Sequence, residues 1–293
     1  MSATSILPAA KPESGRIRDY AGLVKIEHAL FSLPMFAAGA LMAGPASFPS
    51  WQDWLLIAVA GTTARNLALA LNRLIDKKID KLNPRTQARE LPAGRLTSRQ
   101  VATFIALNLI VYLAAAWMIA PICFYLSGIP IVVFAAYPYL KRFTVLCHLG
   151  VGAGLALAPL GGYLAASKSW PIGPDAWLLA AFTWLWVSGF DILYAQADVQ
   201  FDRSHQLHSM PARWGRTSLT ISAMFHTCAL GVLLCLWYFW FEGRLWPVIP
   251  AIIMAILFYL QHKWSDRVDL AAFRINIFVG FVMFGFVVLG VNA

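Results

Sequence analysis

Residues 100–119 read QVATFIALNLIVYLAAAWMI, a run that contains no charged side chain. An α-helix needs about 20 mostly apolar residues to cross the hydrocarbon core of a bilayer. Only helices and closed barrels can do so, because every backbone polar group needs a partner inside lipid. Barrel strands have only about 10 residues. This stretch therefore predicts a transmembrane helix.

Similar apolar runs recur along the whole chain. We count nine candidate spans, at 24–43, 52–75, 100–119, 121–138, 145–166, 175–197, 217–240, 246–262 and 270–291. Only 13% of the 293 residues are charged, against about 25% in soluble domains. No polar linker divides the runs. We therefore expect an all-α integral membrane protein with nine transmembrane helices, made of an N-terminal cytoplasmic segment (1–20) and a single membrane domain (21–293).

The distribution of positive charge predicts the orientation of these helices. With the N-terminus in the cytoplasm, only Lys168 and Arg244 of the 23 Lys and Arg residues fall in outside loops. This asymmetry follows the positive-inside rule and predicts a multi-pass protein of the inner (plasma) membrane with its C-terminus outside. The net charge of +9 could indicate nucleic-acid binding in a soluble protein. Here it reports topology, and we expect no nucleic-acid partner.

Three oxygen-bearing side chains follow one another at four-residue intervals in Asn72-Arg-Leu-Ile-Asp76-Lys-Lys-Ile-Asp80. That spacing puts all three on one face of a helix. The motif lies where span 52–75 meets a cytoplasmic loop, and the helix dipole disfavours carboxylates there. A divalent cation would compensate, and hard oxygen ligands favour Mg²⁺ over zinc.

A second acidic motif, Asp191-Ile-Leu-Tyr194-Ala-Gln-Ala-Asp198-Val-Gln-Phe-Asp202, ends the span 175–197. Offsets of 3, 7 and 11 residues again predict one helical face. Asp191 should lie inside the membrane, with Asp198 and Asp202 nearer the water. An ionisable residue within a span is energetically expensive and indicates a functional site. Two acidic faces at matching depth are hard to explain as isolated caps or salt bridges.

Basic residues surround both motifs. They are Arg65, Arg85, Arg89, Lys141 and Arg142. Taken one at a time, they fit the ordinary positive charge of cytoplasmic loops. Taken together, they indicate a diphosphate clamp, in which Mg²⁺ bridges acids and phosphate while Arg and Lys neutralise the remaining oxygens.

In these motifs the sequence resembles the UbiA superfamily of intramembrane aromatic prenyltransferases. That family carries NxxxDxxxD followed by RTxxRxLPxG, matched by residues 72–94. It also carries YxxxK in the loop after the fourth span, matched by residues 137–141, and DxxYxxxDxxxD, matched by residues 191–202. The nine-span layout extends the resemblance over nearly the whole chain. One departure is Arg73, which stands where the family often has an Asp.

The resemblance implies a UbiA-type bundle that uses Mg²⁺ to transfer a polyprenyl group from polyprenyl diphosphate to an aromatic acceptor. The implied metal ligands are Asn72, Asp76, Asp198 and Asp202, with Asp80 in support. The implied diphosphate-binding residues are Arg65, Arg85, Arg89, Lys141 and Arg142. Asp191 would activate the phenol or accept the ring proton, with Tyr194 and Lys141 as further catalytic residues. Lys25 is the nearest match for a residue that binds the acceptor carboxylate.

The choice of acceptor stays open within the family. The resemblance is closest to the branch that prenylates 4-hydroxybenzoate and related aromatic acids in quinone biosynthesis. Residues 189–195 and 201–213 look even more like menaquinone-pathway members, whose acceptor is 1,4-dihydroxy-6-naphthoate. Haem, chlorophyll and archaeal-lipid prenylation are further alternatives. The motifs specify neither the length of the prenyl chain nor the oligomeric state.

An ion-coupled secondary transporter is the alternative from another functional class. Paired intramembrane acids also coordinate ions in transporters. Transporter sites, however, favour the middle of the bilayer and broken helices. The acids here are predicted at one interface, and residues 63–80 contain neither Gly nor Pro. The pattern therefore favours the prenyltransferase.

Overall fold

The apolar runs fold as α-helices, which satisfy their own backbone hydrogen bonds. The computed structural model describes residues 17–25, 29–268 and 270–292, and these contain no β-strand. The helices are α1 (Ile17–Leu23), α2 (Ala29–Met42), α3 (Trp51–Ile75), α4 (Lys77–Leu82), α5 (Ser98–Ile119), α6 (Pro121–Leu126), α7 (Gly128–Leu140), α8 (Cys147–Ser167), α9 (Pro174–Ala195), α10 (Val199–Ser204), α11 (Met210–Trp214), α12 (Thr217–Trp240), α13 (Val248–Lys263) and α14 (Ile275–Asn292).

Six helical segments are long and apolar enough to cross a membrane. They are Trp51–Ile75, Ser98–Ile119, Pro121–Leu140, Cys147–Ser167, Pro174–Ser204 and Thr217–Trp240. Three shorter apolar helices, Ser32–Met42, Val248–Lys263 and Ile275–Val291, complete the set in the described part of the chain. Each predicted run overlaps one of these segments, although only six of the nine expected spans are long enough by themselves to cross a membrane in the described part of the chain. The prediction of an all-helical membrane bundle is therefore confirmed.

The described part of the chain begins with the short helix α1. Residues 1–16 and 26–28 lie outside the described residues, and α1 crosses the predicted division between residues 20 and 21. Tyr20 of α1 stacks on Phe104 of α5 with ring centroids 5.4 Å apart, and Leu23 is fully buried. Residues 17–20 thus belong to a helix that packs on the bundle, because an apolar stripe follows the charged Arg18 and Asp19.

Neither acidic motif lies on one continuous helix. Helix α3 ends at Ile75 with Asp76 as its C-terminal cap, and a 3₁₀ turn at Gln196–Asp198 separates α9 from α10. Helix ends leave backbone carbonyls without partners, and tighter 3₁₀ winding is a common way to end a helix. The N–H of Asp76 still bonds to the carbonyl of Asn72 at 2.9 Å, so the four-residue spacing is kept.

Close approach of helix backbones holds the bundle together around α8. A Cβ added to Gly162 of α8 would lie 1.9 Å from the carbonyl oxygen of Phe36 in α2. A Cβ added to Gly39 of α2 would lie 1.9 Å from the carbonyl oxygen of Pro159. Small residues allow such approach where lipid gives helices no hydrophobic reason to associate. This contact fixes α2 beside α8, and both helices contribute to the cavity described next.

Candidate active site

A cavity of about 560 Å³ runs through the bundle between α2, α3, α5, α7, α8 and α9. Along α3 it is lined from Ile57 to Asp76, which at 1.5 Å per residue is roughly 28 Å and close to the thickness of the hydrocarbon core. One end holds both acidic motifs, whereas Trp170 and Trp177 line the other. The wall between the two ends is mainly apolar. This shape suits a molecule with a charged head and a long apolar body.

Asp76 lies at the polar end and is only 2% exposed. Lys141 Nζ is 2.7 Å from its Oδ2, and Arg142 Nη2 is 3.2 Å from its Oδ1. The Asn72 amide donates to Oδ2 at 3.4 Å. The ends of α3 and α7 therefore meet at one carboxylate, whose buried charge two cations neutralise.

Asp80 faces a separate group of cations. Arg89 Nη1 donates to both of its carboxylate oxygens at 2.9 Å, and Arg73 Nη1 lies 3.8 Å from Oδ2. Arg73 is 7% exposed, lines the cavity, and its Nε has no hydrogen-bond partner among the described residues. The residue that replaces the family's usual acid thus adds positive charge to the cavity wall.

The second motif is held by the loop that follows α4. Arg85 donates to Asp198 through Nε, at 2.8 Å, and through Nη2. Asn83 donates from its side-chain amide to Oδ1 of Asp198 at 2.8 Å. Asp202 accepts a hydrogen bond from the Ser209 hydroxyl at 2.8 Å. Residues far apart in sequence are thereby joined at one end of the cavity.

Tyr194 and Lys25 complete this charged wall. Arg85 Nη1 donates to the Tyr194 hydroxyl at 2.6 Å. Burial alone would lower the pKa of Arg85, but hydrogen bonds and charge from Asp198 and Tyr194 raise that pKa above its usual value. Lys25 also lines the cavity.

Asp191 faces the cavity deeper along α9. Its Oδ2 lies 2.7 Å from Nδ1 of His148 on α8. The side chain of Asp191 is 22% exposed and that of His148 is 2% exposed. The carboxylate therefore stands in front of the imidazole, as seen from the cavity.

The oxygen ligands present are of the kind that Mg²⁺ prefers. In the described part of the chain, no three His, Cys, Asp or Glu side chains are grouped closely enough to hold a metal ion by themselves. The oxygen-bearing side chains instead come from two motifs that line the same cavity, Asn72 and Asp76 from the first and Asp198 and Asp202 from the second. Mg²⁺ typically takes one or two carboxylates and completes its octahedron with waters and substrate phosphates. The residues therefore fit Mg²⁺ held jointly with a phosphate-bearing ligand.

Most of the residues predicted for the site line this cavity. They are Lys25, Arg65, Asn72, Asp76, Asp80, Arg85, Arg89, Lys141, Asp191, Tyr194, Asp198 and Asp202. Arg142 does not line the cavity but contacts Asp76. Sequence reasoning gave no role to Asn83 or His148. A signal existed for His148, since a histidine within a span is a functional pointer in the same way as an Asp.

Comparison with known proteins supports the resemblance drawn from the sequence motifs. A statistical model of the UbiA prenyltransferase family matches residues 32–282, which confirms the resemblance of the motifs. A 4-hydroxybenzoate octaprenyltransferase of Aliivibrio fischeri is 26% identical over 258 residues, which cover 84% of this chain and 86% of that protein.

Two solved structures share the fold. A UbiA homologue from Aeropyrum pernix superimposes with a TM-score of 0.81 at 31% identity, over 90% of this chain and 98% of that chain. A UbiA homologue from Archaeoglobus fulgidus, solved with GPP and Mg²⁺ bound, superimposes with a TM-score of 0.71 at 15% identity. This match covers 94% of this chain and all of that one.

Proposed function

This chain belongs to the UbiA prenyltransferase family, and from that premise we propose that it transfers a polyprenyl group from polyprenyl diphosphate to an aromatic acid of the 4-hydroxybenzoate type. The observation that carries the proposal is the cavity itself. It combines a charged end, with acids from both motifs and at least five cations, and an apolar body roughly as long as the bilayer core is thick. The diphosphate of the donor matches the charged end, and its isoprenoid tail matches the apolar body.

Mg²⁺ would be held by Asn72 and Asp76 on one side and by Asp198 and Asp202 on the other. When bound, it neutralises the diphosphate as the leaving group develops charge. Asp80 would support the site indirectly, by holding Arg89 through its two 2.9 Å hydrogen bonds. A UbiA homologue with bound GPP and Mg²⁺ supports this assignment.

The basic residues would bind the diphosphate oxygens. They are Arg65, Arg85, Arg89, Lys141 and Arg142. Charge-assisted hydrogen bonds of this kind are roughly twice as strong as neutral ones. They stabilise the leaving group as the allylic C–O bond breaks and its electron pair passes to the diphosphate. Tyr194, which is held by Arg85, would present its ring to the allylic cation that remains.

Asp191 would act on the acceptor. It lies seven residues before Asp198, roughly 10 Å deeper at 1.5 Å per residue. We assign it the acceptance of the phenol proton, which makes the ring richer in electrons. A ring carbon ortho to the oxygen then forms the new C–C bond, and its proton leaves to a diphosphate oxygen. Lys25, at the charged wall, would bind the acceptor carboxylate.

The proposed orientation puts the N-terminus and the acidic end of the cavity on the cytoplasmic side of the plasma membrane. Positive charge in the loops supports this choice, because Lys and Arg accumulate in cytoplasmic loops. The apolar part of the cavity then lies within the bilayer, where an isoprenoid tail is soluble. The donor would enter the site from the lipid, and the prenylated product would leave into it.

Mass spectrometry of products tests the acceptor assignment. The purified protein in lipid, given Mg²⁺ and octaprenyl diphosphate, is offered equimolar 4-hydroxybenzoate and 1,4-dihydroxy-6-naphthoate. We expect octaprenyl 4-hydroxybenzoate as the main product. A preference for the naphthoate would contradict the benzoate assignment and support the menaquinone-type reaction instead. Absence of any prenylated ring would contradict it.

A further inference from the structure

We infer that His148 is a positioning residue for prenyl transfer: its Nδ1–H holds the Asp191 carboxylate in place to accept the acceptor's proton, and the backbone N–H of Met210 fixes the tautomer. The inference rests on the proposed function and adds a residue to its acceptor end.

The hydrogen bonds around His148 determine where its proton lies. The N–H of Met210 points at Nε2 at 3.2 Å, so this nitrogen accepts. A neutral imidazole that accepts at one nitrogen carries its proton on the other. Nδ1 therefore donates to Oδ2 of Asp191, 2.7 Å away. A ring fixed at both nitrogens cannot rotate, and it holds the carboxylate with it.

Burial separates the roles of the two side chains. His148 is 2% exposed, whereas Asp191 is 22% exposed. Both residues line the cavity, but Asp191 presents much the larger side-chain surface to an acceptor. His148 stands behind it on α8 and acts through it, in the way that outer partners orient the ligands of a metal.

The segment His208–Met210 connects this pair to the diphosphate end. The N–H of His208 donates to the carbonyl of Lys141 at 2.7 Å, and the Ser209 hydroxyl donates to Asp202 at 2.8 Å. The next residue, Met210, bonds to His148. Three consecutive residues thus contact a diphosphate-binding candidate, a metal-binding candidate and the positioning histidine. The two ends of the reaction share one rigid support.

Three variants separate positioning from packing. His148→Asn keeps an N–H near the place of Nδ1, His148→Phe fills the space without a donor, and His262→Asn changes a half-buried histidine of α13 that lies outside the cavity lining. Losing a hydrogen bond to a charged group predicts a fall in kcat of roughly 10- to 100-fold for His148→Phe. We expect His148→Asn to recover a large part of this loss and His262→Asn to stay near wild type.

An acceptor with a more acidic phenol distinguishes positioning from packing. If His148 acted only through packing, its replacement would lower kcat equally for both acceptors. 3-Fluoro-4-hydroxybenzoate gives up its phenol proton more readily, so it depends less on a well-placed base. The ratio of wild-type to His148→Phe kcat should therefore be smaller for this acceptor than for 4-hydroxybenzoate. Affinity for a non-hydrolysable prenyl diphosphate analogue should be unchanged.

The outcomes separate this inference from the proposed function. If the wild-type protein prenylates 4-hydroxybenzoate but His148→Phe matches its kcat, the positioning role is wrong. It is also wrong if His148→Asn is as impaired as His148→Phe, or if the loss is equal for both acceptors. If the wild-type protein prenylates no aromatic acceptor, both the proposed function and this inference are contradicted.

Discussion

The side-chain amide of Asn83 donates a hydrogen bond to Oδ1 of Asp198, at 2.8 Å and across 115 residues of sequence. Asn83 lies just after the first acidic motif, and Asp198 belongs to the second. The bond therefore joins the segments that follow α4 and α9 into one structure. Neither motif forms the charged end of the cavity alone, and several predictions about function depend on this junction.

Arg85 extends the junction and should contribute to donor binding. It donates two hydrogen bonds to Asp198 and one to the Tyr194 hydroxyl. Lys has no planar fork and cannot reproduce this pattern. Losing a charge-assisted hydrogen bond costs roughly 1.5–3 kcal/mol, so Arg85→Lys should raise the KM for polyprenyl diphosphate about 10- to 100-fold. Arg216→Lys, at an exposed pair with Asp266, is the matched control. Steady-state kinetics measures this change. An unchanged KM for polyprenyl diphosphate in Arg85→Lys would show that Arg85 does not contribute to donor binding.

Asp191 and Asp198 should have separable roles. Asp191→Asn keeps shape and hydrogen bonding but loses the base, and a general base typically contributes about 10²–10⁴-fold to rate. We expect this variant to bind Mg²⁺ and a non-hydrolysable diphosphate analogue nearly as well as wild type while product formation falls by that factor. Asp198→Asn should instead weaken binding of the analogue. Isothermal titration beside product assays decides the matter, and equal loss of binding in both variants would make Asp191 a metal ligand.

The close contact between α2 and α8 should determine stability rather than chemistry. A Cβ at Gly162 would lie 1.9 Å from a backbone oxygen of Phe36, so Gly162→Ala must displace a helix. Overpacking of this kind costs roughly 1–3 kcal/mol. Gly231→Ala on α12, where an added Cβ has no neighbour within 4 Å, is the control. Thermal unfolding in detergent should show a lower midpoint for Gly162→Ala alone, and equal midpoints would contradict this packing.

The topology proposal is tested by accessibility. Single cysteines introduced in the loop 83–95 should react with a membrane-impermeant reagent only from the cytoplasmic side. A C-terminal tag should be reached only from the opposite side, because the proposed topology has nine crossings between the two ends of the chain. A cytoplasmic C-terminus would mean that one of the apolar segments does not cross the membrane.

The sequence predicted the membrane bundle because apolar runs of bilayer length allow few alternatives to helices. Most of the residues that it predicted for the site also line the cavity, because the spacing of Asn72, Asp76 and Asp80 survives the helix end at Asp76. It did not predict the 3₁₀ turn at Gln196–Asp198, since the local sequence there carries neither Gly nor Pro.

Contacts between distant segments were beyond the reach of sequence patterns. No periodicity relates Asn83 to Asp198 or His148 to Asp191, because those pairs arise only when separate helices pack together. Likewise, the spacing predicted that Asp80 shares a helical face with Asp76. In the structure, however, Asp80 pairs with Arg89, whereas Asp76 pairs with Lys141 and Arg142. Partner choice among buried charges is decided by three-dimensional distance, which a single sequence does not contain.

Mg²⁺-dependent transfer tests the central claim most directly. Wild-type protein in lipid, given polyprenyl diphosphate and 4-hydroxybenzoate, should form one prenylated ring for each diphosphate released, and excess EDTA should abolish both. Asp76→Ala and Asp198→Ala should each abolish turnover while the protein stays folded. Asp53→Ala, which removes an ion-paired acid near the start of α3, should remain active. Full activity in EDTA or in either site variant would contradict the claim that the two motifs hold Mg²⁺ and diphosphate in one cavity.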